Sequence, residues 1–563
     1  IELYNDENIM VDIGGFYLSD KDDPKKWQIP TDTRIPAKGY LLIWADDKED
    51  ENDKVLHANF KLSSKGEKLT LADRSGVVID TVDFPAQVAD ISCKALSDTS
   101  IVYMTPTPGR VNSATHTDAN RSERVVFSTT APVTMTAAAG ATIYYTTDGS
   151  MPTTSSLQYS APIPVTSTKV FRASALESGK FLSKVENNTY FSSAHTSTLP
   201  IVSLTTDEKY LFDSSIGIHT NYNEEWKRPV HLEYFESDHS EKFSTSLEFA
   251  IGGQSSRAHT KKSFEFEFDK DYGVKSLEDT TYQLYLSKNL AKIKDFKIRS
   301  GDHGYGIGDI LATEIVRDGN LNVDYQAHRT VQMFMNGEYW GVYNFREKKG
   351  VDYLVSNYPD IDEDKLDLIN NNGSFAKHGT FDDYATLRDR ARDYTQATEV
   401  LNLIDETSFI DYMCVMLYSG NRDWIWSNSR AWKEDTISPK WRWMLDDVDE
   451  GFNNDVLNKN SFTMLQLPTH RSALANTFIT LMRDATFKAK FDARFTLLLD
   501  TLFSAEAMQT RIDKIIDERK DEITKDSRFS TSQSIFDAYV TELSNFAQER
   551  SAIVKVQLEN FVP

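Results

Sequence analysis

Short apolar runs alternate with turn residues over residues 1–112. Residues 14–18, 39–44 and 76–80 each combine strand-forming side chains with a glycine. Short strands at this spacing are typical of a β-sandwich or barrel. The first four residues, 1–4, also follow a strand pattern rather than that of a signal peptide. The pattern therefore predicts an all-β domain over residues 1–112.

A second β pattern occupies residues 113–195, a region rich in Ser, Thr and Ala. The run 142–147 is strand-forming, and Asp148-Gly149 follows it directly. Asp-Gly between strand-forming runs is a strong hairpin signal. We expect a second small β domain here.

The periodicity changes at about residue 196 to a mixture of strands and helices, and beyond about residue 380 it is mostly helical. Residues 475–482 and 495–499 carry apolar side chains at helical spacing. A strand-rich half followed by a helical half predicts an α+β, two-lobed enzyme domain over residues 196–563.

Charge and composition narrow the classes of function. The 563 residues include 62 Lys and Arg against 85 Asp and Glu, a formal net charge of −23, which repels nucleic acid and anionic lipid. No run approaches the roughly 18 apolar residues of a membrane span. Cys93 and Cys414 are the two cysteines, so a disulfide framework or a cysteine-built zinc site is excluded.

The first candidate for chemistry is a turn rich in glycine and hydroxyl groups. It contains Gly253, Ser255, Ser256 and Arg257, and the predicted strand 261–268 follows. Glycines let backbone amides approach a phosphate, and a following lysine can reach the same anion. Alternation places Lys262 on the phenylalanine face and Lys261 on the polar face. An ordinary hairpin with a solvated lysine fits this segment equally well.

A predicted helix at 308–319 carries a carboxylate on its apolar stripe. Glu314 follows Ile307, Ile310 and Leu311 at the spacing of one helix face. A buried glutamate needs a cationic partner or a proton, and a lysine of the preceding strand is the expected partner. The alternative places Glu314 at the margin of the face, in contact with solvent.

Asn336-Gly337 between two alternating runs is the clearest hairpin signal in the chain. Glu347 would end this hairpin where a kinase-like fold places the hinge between its lobes.

The most informative pattern comes last. Asp423 and Asn428 form Asp-x-x-x-x-Asn, and about twenty residues later Asp446, Asp447 and Asp449 follow an apolar strand. Kinases use such a set because one Asp accepts the proton of the attacking hydroxyl while Asn and a later Asp hold Mg²⁺. Packing three acids within four positions is unfavourable without a cation.

Three family resemblances accompany these patterns. Residues 1–5, 15–20, 58–62 and 107–112 resemble a lamin-tail domain, which implies an immunoglobulin-like sandwich without its own chemistry. Residues 142–153 and 159–162 resemble the immunoglobulin-like module of chitobiases, which implies a spacer or a sugar-binding module. Tyr144 or Tyr145 could stack on a sugar, although packing within the module is the more common role for a tyrosine on such a strand.

Residues 196–560 resemble the CotH family of atypical, spore-coat-type protein kinases. The resemblance lies in Gly253 to Ser263, the 336–347 hairpin, the Asp423/Asn428 pair and the acids at 447 and 449. It implies transfer of phosphate from ATP, with Mg²⁺ or Mn²⁺, to Ser or Thr of exported proteins.

The resemblance also implies a role for each matching residue. Asp423 would be the catalytic acid/base. Asn428 and Asp447 would bind metal, with Asp449 as a second ligand or supporting group. Lys261 or Lys262 would contact phosphate beside the 255–257 turn, and Glu314 would be the helix partner of that lysine. Asp446 stands where the family has tryptophan, and Gly451-Phe452 reverses the family order, so the register among the three acids is open.

The sequence thus predicts two immunoglobulin-like sandwiches, 1–112 and 113–195, followed by a kinase-like domain, 196–563. A secreted, periplasmic or cell-surface location is expected, with any export signal already removed. Partners would be a protein substrate and a glycan or surface protein bound by the β modules. A catalytically inactive adhesin is the main alternative. A metal-dependent hydrolase using residues 446–449 is a third, although His303 in a glycine-rich loop is more typical of a structural residue.

Overall fold

A computed structural model of the protein describes residues 1–48, 55–97, 100–113, 115–269, 272–278, 282–301, 304–370, 375–425, 427–467, 472–523, 525–526 and 533–563. The chain divides into two compact units. The first unit comprises Ile1–Thr146, Pro152–Ile163 and Arg172–Glu186. The second comprises Thr147–Met151, Pro164–Phe171 and Asn187–Pro563.

The N-terminal region is built from short strands. They are β1 (Glu2–Tyr4), β2 (Val11–Asp12), β3 (Tyr17–Ser19), β4 (Trp27–Gln28), β5 (Arg34–Ile35), β6 (Tyr40–Ala45), β7 (Leu56–Ala58), β8 (Glu67–Ala72), β9 (Val78–Phe84), β10 (Ser92–Ser97), β11 (Ser100–Met104), β12 (Val126–Phe127), β13 (Met135–Thr136), β14 (Thr142–Thr146), β15 (Leu157–Gln158), β16 (Lys169–Leu176) and β17 (Glu186–Tyr190). Two four-stranded sheets have the orders β4-β3-β8-β9 and β15-β14-β16-β17. Buried side chains such as Leu18, Ile43 and Phe60 form the first core. Tyr144 is buried and Tyr145 half-buried, in agreement with packing within the module.

A closed β-barrel begins the second part. Its region contains β18 (Ile201–Thr205), α1 (Glu208–Phe212), β19 (Arg228–Phe235), β20 (Glu241–Gly252), β21 (Ser263–Glu267), β22 (Leu277–Glu278), β23 (Lys292–Ile293), β24 (Asp295–Arg299), α2 (Ile307–Asp318), β25 (His328–Met335) and β26 (Glu338–Glu347). The barrel order is β18-β19-β20-β21-β24-β26-β25, closed by parallel pairing of β18 with β25. Asn336 and Gly337 turn the β25–β26 hairpin with φ of 51° and 81°, as a type I′ turn requires.

The remainder is mostly helical. It contains α3 (Val351–Asn357), β27 (Leu366–Asn370), β28 (Phe375–His378), α4 (Asp382–Ala391), α5 (Ala397–Leu403), α6 (Glu406–Ser419), β29 (Arg430–Glu434), β30 (Ser438–Met444), α7 (Asn454–Leu457), α8 (Ser461–Gln466), α9 (Ala473–Met482), α10 (Ala485–Asp500), α11 (Ala505–Ile523) and α12 (Gln533–Glu559). One sheet has the order β28-β27-β29-β30. The helices pack around a core that includes Phe409, Met413, Trp443 and Phe478.

The predicted fold class is confirmed: the chain is multidomain, with a β-rich N-terminal region before a part whose C-terminal half is helical. The predicted helix at 308–319 is α2, which ends before Gly319. Both cysteines are free thiols. Among the described helices, none is both long and apolar enough to cross a membrane. The proposed boundaries at 112 and 195 remain predictions.

Candidate active site

The β29–β30 hairpin brings two loops to one place. Arg430 at the start of β29 pairs with Met444 at the end of β30. The segment before Arg430 and the segment after Met444 therefore emerge at the same end of the hairpin. The first segment carries Asp423 and Asn428, and the second carries the three acids. Antiparallel pairing thus unites two patterns that lie about twenty residues apart in sequence.

Asp423 and Asn428 are in direct contact. Asn428 Nδ2 donates to Asp423 Oδ2 at 3.0 Å, and Ser427 Oγ donates to Asp423 Oδ1 at 2.7 Å. Asn428 has a left-handed backbone, with φ of 46°. Because both carboxylate oxygens of Asp423 are held, the side chain has a fixed orientation.

Asn421 ties this loop to the acidic loop. Its Nδ2 donates to the backbone carbonyl of Asp447 at 2.9 Å, and its Oδ1 accepts from the Asp423 amide at 3.3 Å. Asn421 is fully buried. One side chain therefore sets the spacing between the segment of Asp423 and that of Asp447.

The acids at 447 and 449 converge on one cation, Arg299 at the end of β24. Arg299 Nη1 lies 2.9 Å from Asp447 Oδ1, and Nη2 lies 3.0 Å from Asp449 Oδ2. Arg299 also contacts Asp309 of α2. Burial acts to lower the pKa of Arg299, but the carboxylates of Asp447, Asp309 and Asp449 raise it well above its usual value.

Asp309 lies at the centre of this network. Its Oδ2 also accepts from Arg346 Nη1 at 2.6 Å, and its Oδ1 accepts from the Val448 amide at 2.6 Å. Burial raises the pKa of Asp309, yet Arg346 and Arg299 hold it well below its usual range. Asp309 is therefore a carboxylate that joins strand, helix and acidic loop.

Asp446 binds two cations other than Arg299. Its oxygens lie 2.5 Å from Lys349 Nζ and 2.7 Å from Arg430 Nε. Burial raises the pKa of Asp446, but Arg430 and Lys349 hold it well below its usual range. Among the three acids, 447 and 449 thus share one location and 446 belongs to a separate ion triad.

Glu314 is buried on α2 as expected, but the structure gives it different cations from the strand lysine that we expected. Its Oε1 lies 3.4 Å from Arg317 and 3.4 Å from Lys514 of α11, and Oε2 is buried without a hydrogen-bond partner among the described residues. Five residues along a helix turn the side chain by about 140°. Since Asp309 faces the acidic loop, Glu314 faces α11.

The two lysines of the expected phosphate site are engaged elsewhere. Lys261 Nζ lies 3.1 Å from Asp526 and donates to the Val342 carbonyl at 2.9 Å. Lys262 is buried, as the alternation predicts, and donates to the Arg257 carbonyl. Burial, with the charge of Arg257, lowers the pKa of Lys262. Both precede β21 rather than lying within it.

The glycine and hydroxyl-rich turn forms a short 3₁₀ helix, Ser255–Ala258. Gly253 has a φ of 96°, and a Cβ there would lie 2.2 Å from Ser256 Oγ, so glycine is required. Arg257 donates to the carbonyls of Tyr222 at 2.7 Å and Glu224 at 2.6 Å. Ser256 lines the cleft described below, whereas Arg257 fixes the turn.

Glu347 ends β26, but its carboxylate is bound within the protein. Lys288 Nζ lies 2.8 Å from Oε2, and Asn357 donates to Oε1 at 2.7 Å. The Ala327 amide also donates to Oε2 at 2.6 Å. Both carboxylate oxygens of Glu347 are therefore bound by neighbouring residues at the end of the last barrel strand, and its expected role in cofactor binding stays a prediction.

A narrow cleft borders Arg299. It is lined by Ser256, Ser263, Arg299, Ser300, Gly301, Gly306, Asp309, Asn344, Arg346 and Asp449. Its volume of about 20 Å³ admits roughly one water molecule. Asn344 Oδ1 and Arg346 Nε are buried there without hydrogen-bond partners among the described residues. Because buried polar atoms are normally satisfied, these two are a feature of the cleft wall that its described surroundings leave unsatisfied.

The donor chemistry of this site fits a divalent cation. Mg²⁺ prefers oxygen ligands and is commonly held by one or two carboxylates together with substrate phosphates. Asp447 and Asp449 already surround one positive group. Within the described ranges, no group of three or more His, Cys, Asp or Glu is arranged to hold a metal ion. His303, which bears on the hydrolase alternative, lies outside the described residues.

Sequence reasoning missed Arg299, Asp309, Arg346, Asn344 and Asn421. The available signal was an arginine at the end of an alternating strand, directly before the glycine-rich loop 301–306, followed by an acid in the first turn of a helix.

Comparison with known families identifies all three regions. The family described as CotH kinase protein matches residues 249–554, which is more than half of the chain. The chain belongs to the CotH family. The match covers the cleft, Asp423 and the acidic loop, so this part of the CotH protein is kinase-like.

The chitobiase/beta-hexosaminidase C-terminal domain matches residues 125–187, and the lamin tail domain matches residues 1–86. A crystal structure of the Helicobacter pylori proinflammatory kinase CtkA is similar at 11% sequence identity, with 50% of this chain and 93% of that chain covered and a TM-score of 0.26. A similarity of that size gives no ground for transferring chemistry. No curated protein matches the chain.

Proposed function

We propose that this CotH protein is an exported, metal-dependent protein kinase. It transfers the γ-phosphate of ATP to Ser or Thr of extracytoplasmic or surface proteins. The observation that carries the proposal is the junction at Asn421, which holds the segment of Asp423 against the acid pair of 447 and 449. This junction supports the proposal because the proposed base and the two proposed metal ligands lie on the two segments that Asn421 joins, and phosphoryl transfer needs such groups close together.

Asp423 is the proposed catalytic base. It would accept the proton of the acceptor hydroxyl as the hydroxyl oxygen bonds to the γ-phosphorus and the bond to the β–γ bridging oxygen breaks, leaving ADP. Asn428 and Ser427 hold its two oxygens in position. Asn428 would also offer its side-chain oxygen to metal.

Asp447 and Asp449 would hold Mg²⁺ or Mn²⁺. The cation would neutralise charge on the phosphates during transfer. Asn344 and Arg346, each with a polar atom that has no partner among the residues the structure describes, line the cleft together with Ser256, which has a hydroxyl. With a volume of about 20 Å³, the cleft has to widen before a nucleotide can enter.

The two N-terminal modules would bind a surface protein or a glycan and so place the kinase near its substrate. The family memberships of these regions, which include a chitobiase-type module, support an exported location.

Thermal melting and phosphate transfer test the proposal together. Wild-type protein should be stabilised by ATP with Mg²⁺ more than by either alone, and it should transfer labelled γ-phosphate to itself or to a protein acceptor. Asp423→Asn and Asp447→Asn should lower transfer by about 100-fold or more.

Asp389→Asn on the exposed face of α4 is the matched control and should transfer normally, since its carboxylate pairs with surface arginines. Full transfer by both site variants would refute the assigned roles. The inactive-adhesin alternative predicts two results: nucleotide does not stabilise the protein, and the protein binds a glycan or a surface protein.

A further inference from the structure

We propose that Arg299 occupies the cation position between Asp447 and Asp449 until a divalent cation displaces it, and that it then binds the phosphates of the nucleotide. This inference rests on the proposed function. It makes Arg299, rather than Lys261 or Lys262, the phosphate-binding cation of the chain, and it makes Asp309, rather than Glu314, the helix carboxylate that positions it.

The first support is geometric. Two nitrogens of one guanidinium reach two carboxylates, 2.9 Å from Asp447 and 3.0 Å from Asp449. The two oxygens therefore both contact a single positive group. A divalent cation that bound both carboxylates would need the volume that the guanidinium fills.

The residues that the sequence suggested for these two roles have other contacts. Lys261 has its own carboxylate, Asp526, and Lys262 is turned toward the Arg257 carbonyl. Glu314 faces Lys514. Arg299, in contrast, lines the cleft together with Ser256 and Gly306.

The pairing of β24 with β26 places Arg299 next to polar residues on the outer face of the barrel. Phe296 and Ile298 point into the barrel core, so alternation places Arg299 on the outer face. Asn344 is its cross-strand partner there. The cation thus stands beside the two polar atoms, Asn344 Oδ1 and Arg346 Nε, that have no partner in the described structure.

Asp309 supplies the second position for the arginine. It contacts Arg299 and retains Arg346 and the Val448 amide as further donors. If Arg299 leaves Asp447 and Asp449, its contact with Asp309 can keep it at the cleft. A planar guanidinium is suited to bidentate binding of phosphate.

Two binding measurements on Arg299→Gln test the proposed role of Arg299, because the affinities for Mn²⁺ and for ATP should change in opposite directions. In Arg299→Gln, the affinity for Mn²⁺ alone, measured from the free Mn²⁺ signal in electron paramagnetic resonance, should rise by about tenfold or more because the competing charge is gone. The affinity for ATP in saturating Mn²⁺, measured by calorimetry, should fall by about tenfold or more.

Arg494→Gln is the matched control. It also removes a guanidinium from a buried carboxylate, Asp411, which keeps the Asn322 amide as a donor. Both affinities should stay at the wild-type value. Arg299→Lys, which keeps one charge but cannot bridge two acids, should shift both affinities in the same directions by smaller factors.

The outcomes separate the two proposals. If the wild type binds neither Mn²⁺ nor ATP, the proposed function fails. If the wild type binds both, but Arg299→Gln leaves Mn²⁺ affinity unchanged or lowers it, the assignment of Arg299 is wrong while the kinase proposal stands. Should Arg299→Gln not fold, a wild-type Mn²⁺ affinity in Arg299→Lys overturns the assignment.

Discussion

Asp446 and Asp447 are neighbours in sequence, yet their carboxylates bind different cations: Asp446 binds Lys349 and Arg430, whereas Asp447 binds Arg299. Asp447 has a left-handed backbone, with φ of 50°. This turn separates a buried structural triad from the proposed metal site.

Paired substitutions should separate these two roles. Asp446→Asn leaves Lys349 and Arg430 without their buried counter-charge and should lower the free energy of unfolding by about 3 kcal/mol or more. Asp447→Asn, at a half-exposed side chain, should change stability by less than about 1 kcal/mol and abolish Mn²⁺ binding. Urea unfolding and Mn²⁺ titration are the measurements. Equal loss of stability in the two variants would contradict the separation.

Substitutions on α2 test which helix carboxylate serves the cleft. Asp309→Asn weakens the contacts to Arg299 and Arg346 and should reduce ATP affinity by about tenfold or more. Glu314→Gln, on the side facing α11, should leave ATP affinity within about twofold of wild type. Calorimetric titration with ATP and Mn²⁺ measures both. A larger effect at Glu314 than at Asp309 would support Glu314 as the helix carboxylate that serves the phosphate-binding cation, as the sequence suggested.

Asp309 and Glu314 show which features of α2 can be predicted from the sequence and which depend on tertiary packing. The helix and its glycine stop followed from periodicity alone, whereas periodicity left two positions open for Glu314, one buried and one in contact with solvent. Periodicity does not show which of the two carboxylates faces the cleft, because both Asp309 and Glu314 fit a helix at their positions. Only the packing of α2 against α11 and the acidic loop distinguishes them. The Asp-x-x-x-x-Asn pattern of Asp423 and Asn428, in contrast, is visible in the sequence, although the direct contact between the two side chains is a finding of the structure.

Arg550 should stabilise the end of α6, the helix that precedes the loop of Asp423. From α12, its guanidinium donates to the carbonyls of Leu417 at 3.0 Å and Tyr418 at 2.9 Å, and to that of Leu457 at 2.7 Å. Arg550→Lys cannot reach all three, so the free energy of unfolding should fall by about 2–4 kcal/mol. Urea denaturation measures this. Arg390→Lys, at an exposed position of α4, is the control and should cost less than about 0.5 kcal/mol.

A buried glutamate in the barrel gives a pH-dependent stability. Burial raises the pKa of Glu233 from 4.5 to about 7, and the residue is held by Thr189 through a backbone donor at 2.9 Å. Because the folded pKa exceeds the unfolded one, the protonated side chain favours the folded state. This stabilisation is complete below pH 4.5 and is lost as the pH rises through 7.

Glu233→Gln keeps the shape and removes the titration. The melting temperature of the variant minus that of the wild type should therefore increase between pH 5 and pH 8, by a few degrees. A difference that is flat across this range would show that Glu233 does not titrate there. Measuring the difference cancels the many other carboxylates of the acidic chain.

The resemblances to three families were recognisable from local motifs, but the barrel was not. Hairpins such as β25–β26 are marked by Asn336-Gly337, whereas the parallel contact of Ile201 with Gln332 joins residues that no local pattern relates.

That contact has a consequence for biosynthesis. All five residues of β18 are buried, and one edge of this strand is completed only by β25. During translation or export, β18 therefore emerges well before its last neighbour exists. Its unpaired backbone edge is open to wrong pairing until more than a hundred further residues have appeared. A chaperone that holds the nascent chain, or delayed release of that chain, would protect β18 until β25 has appeared.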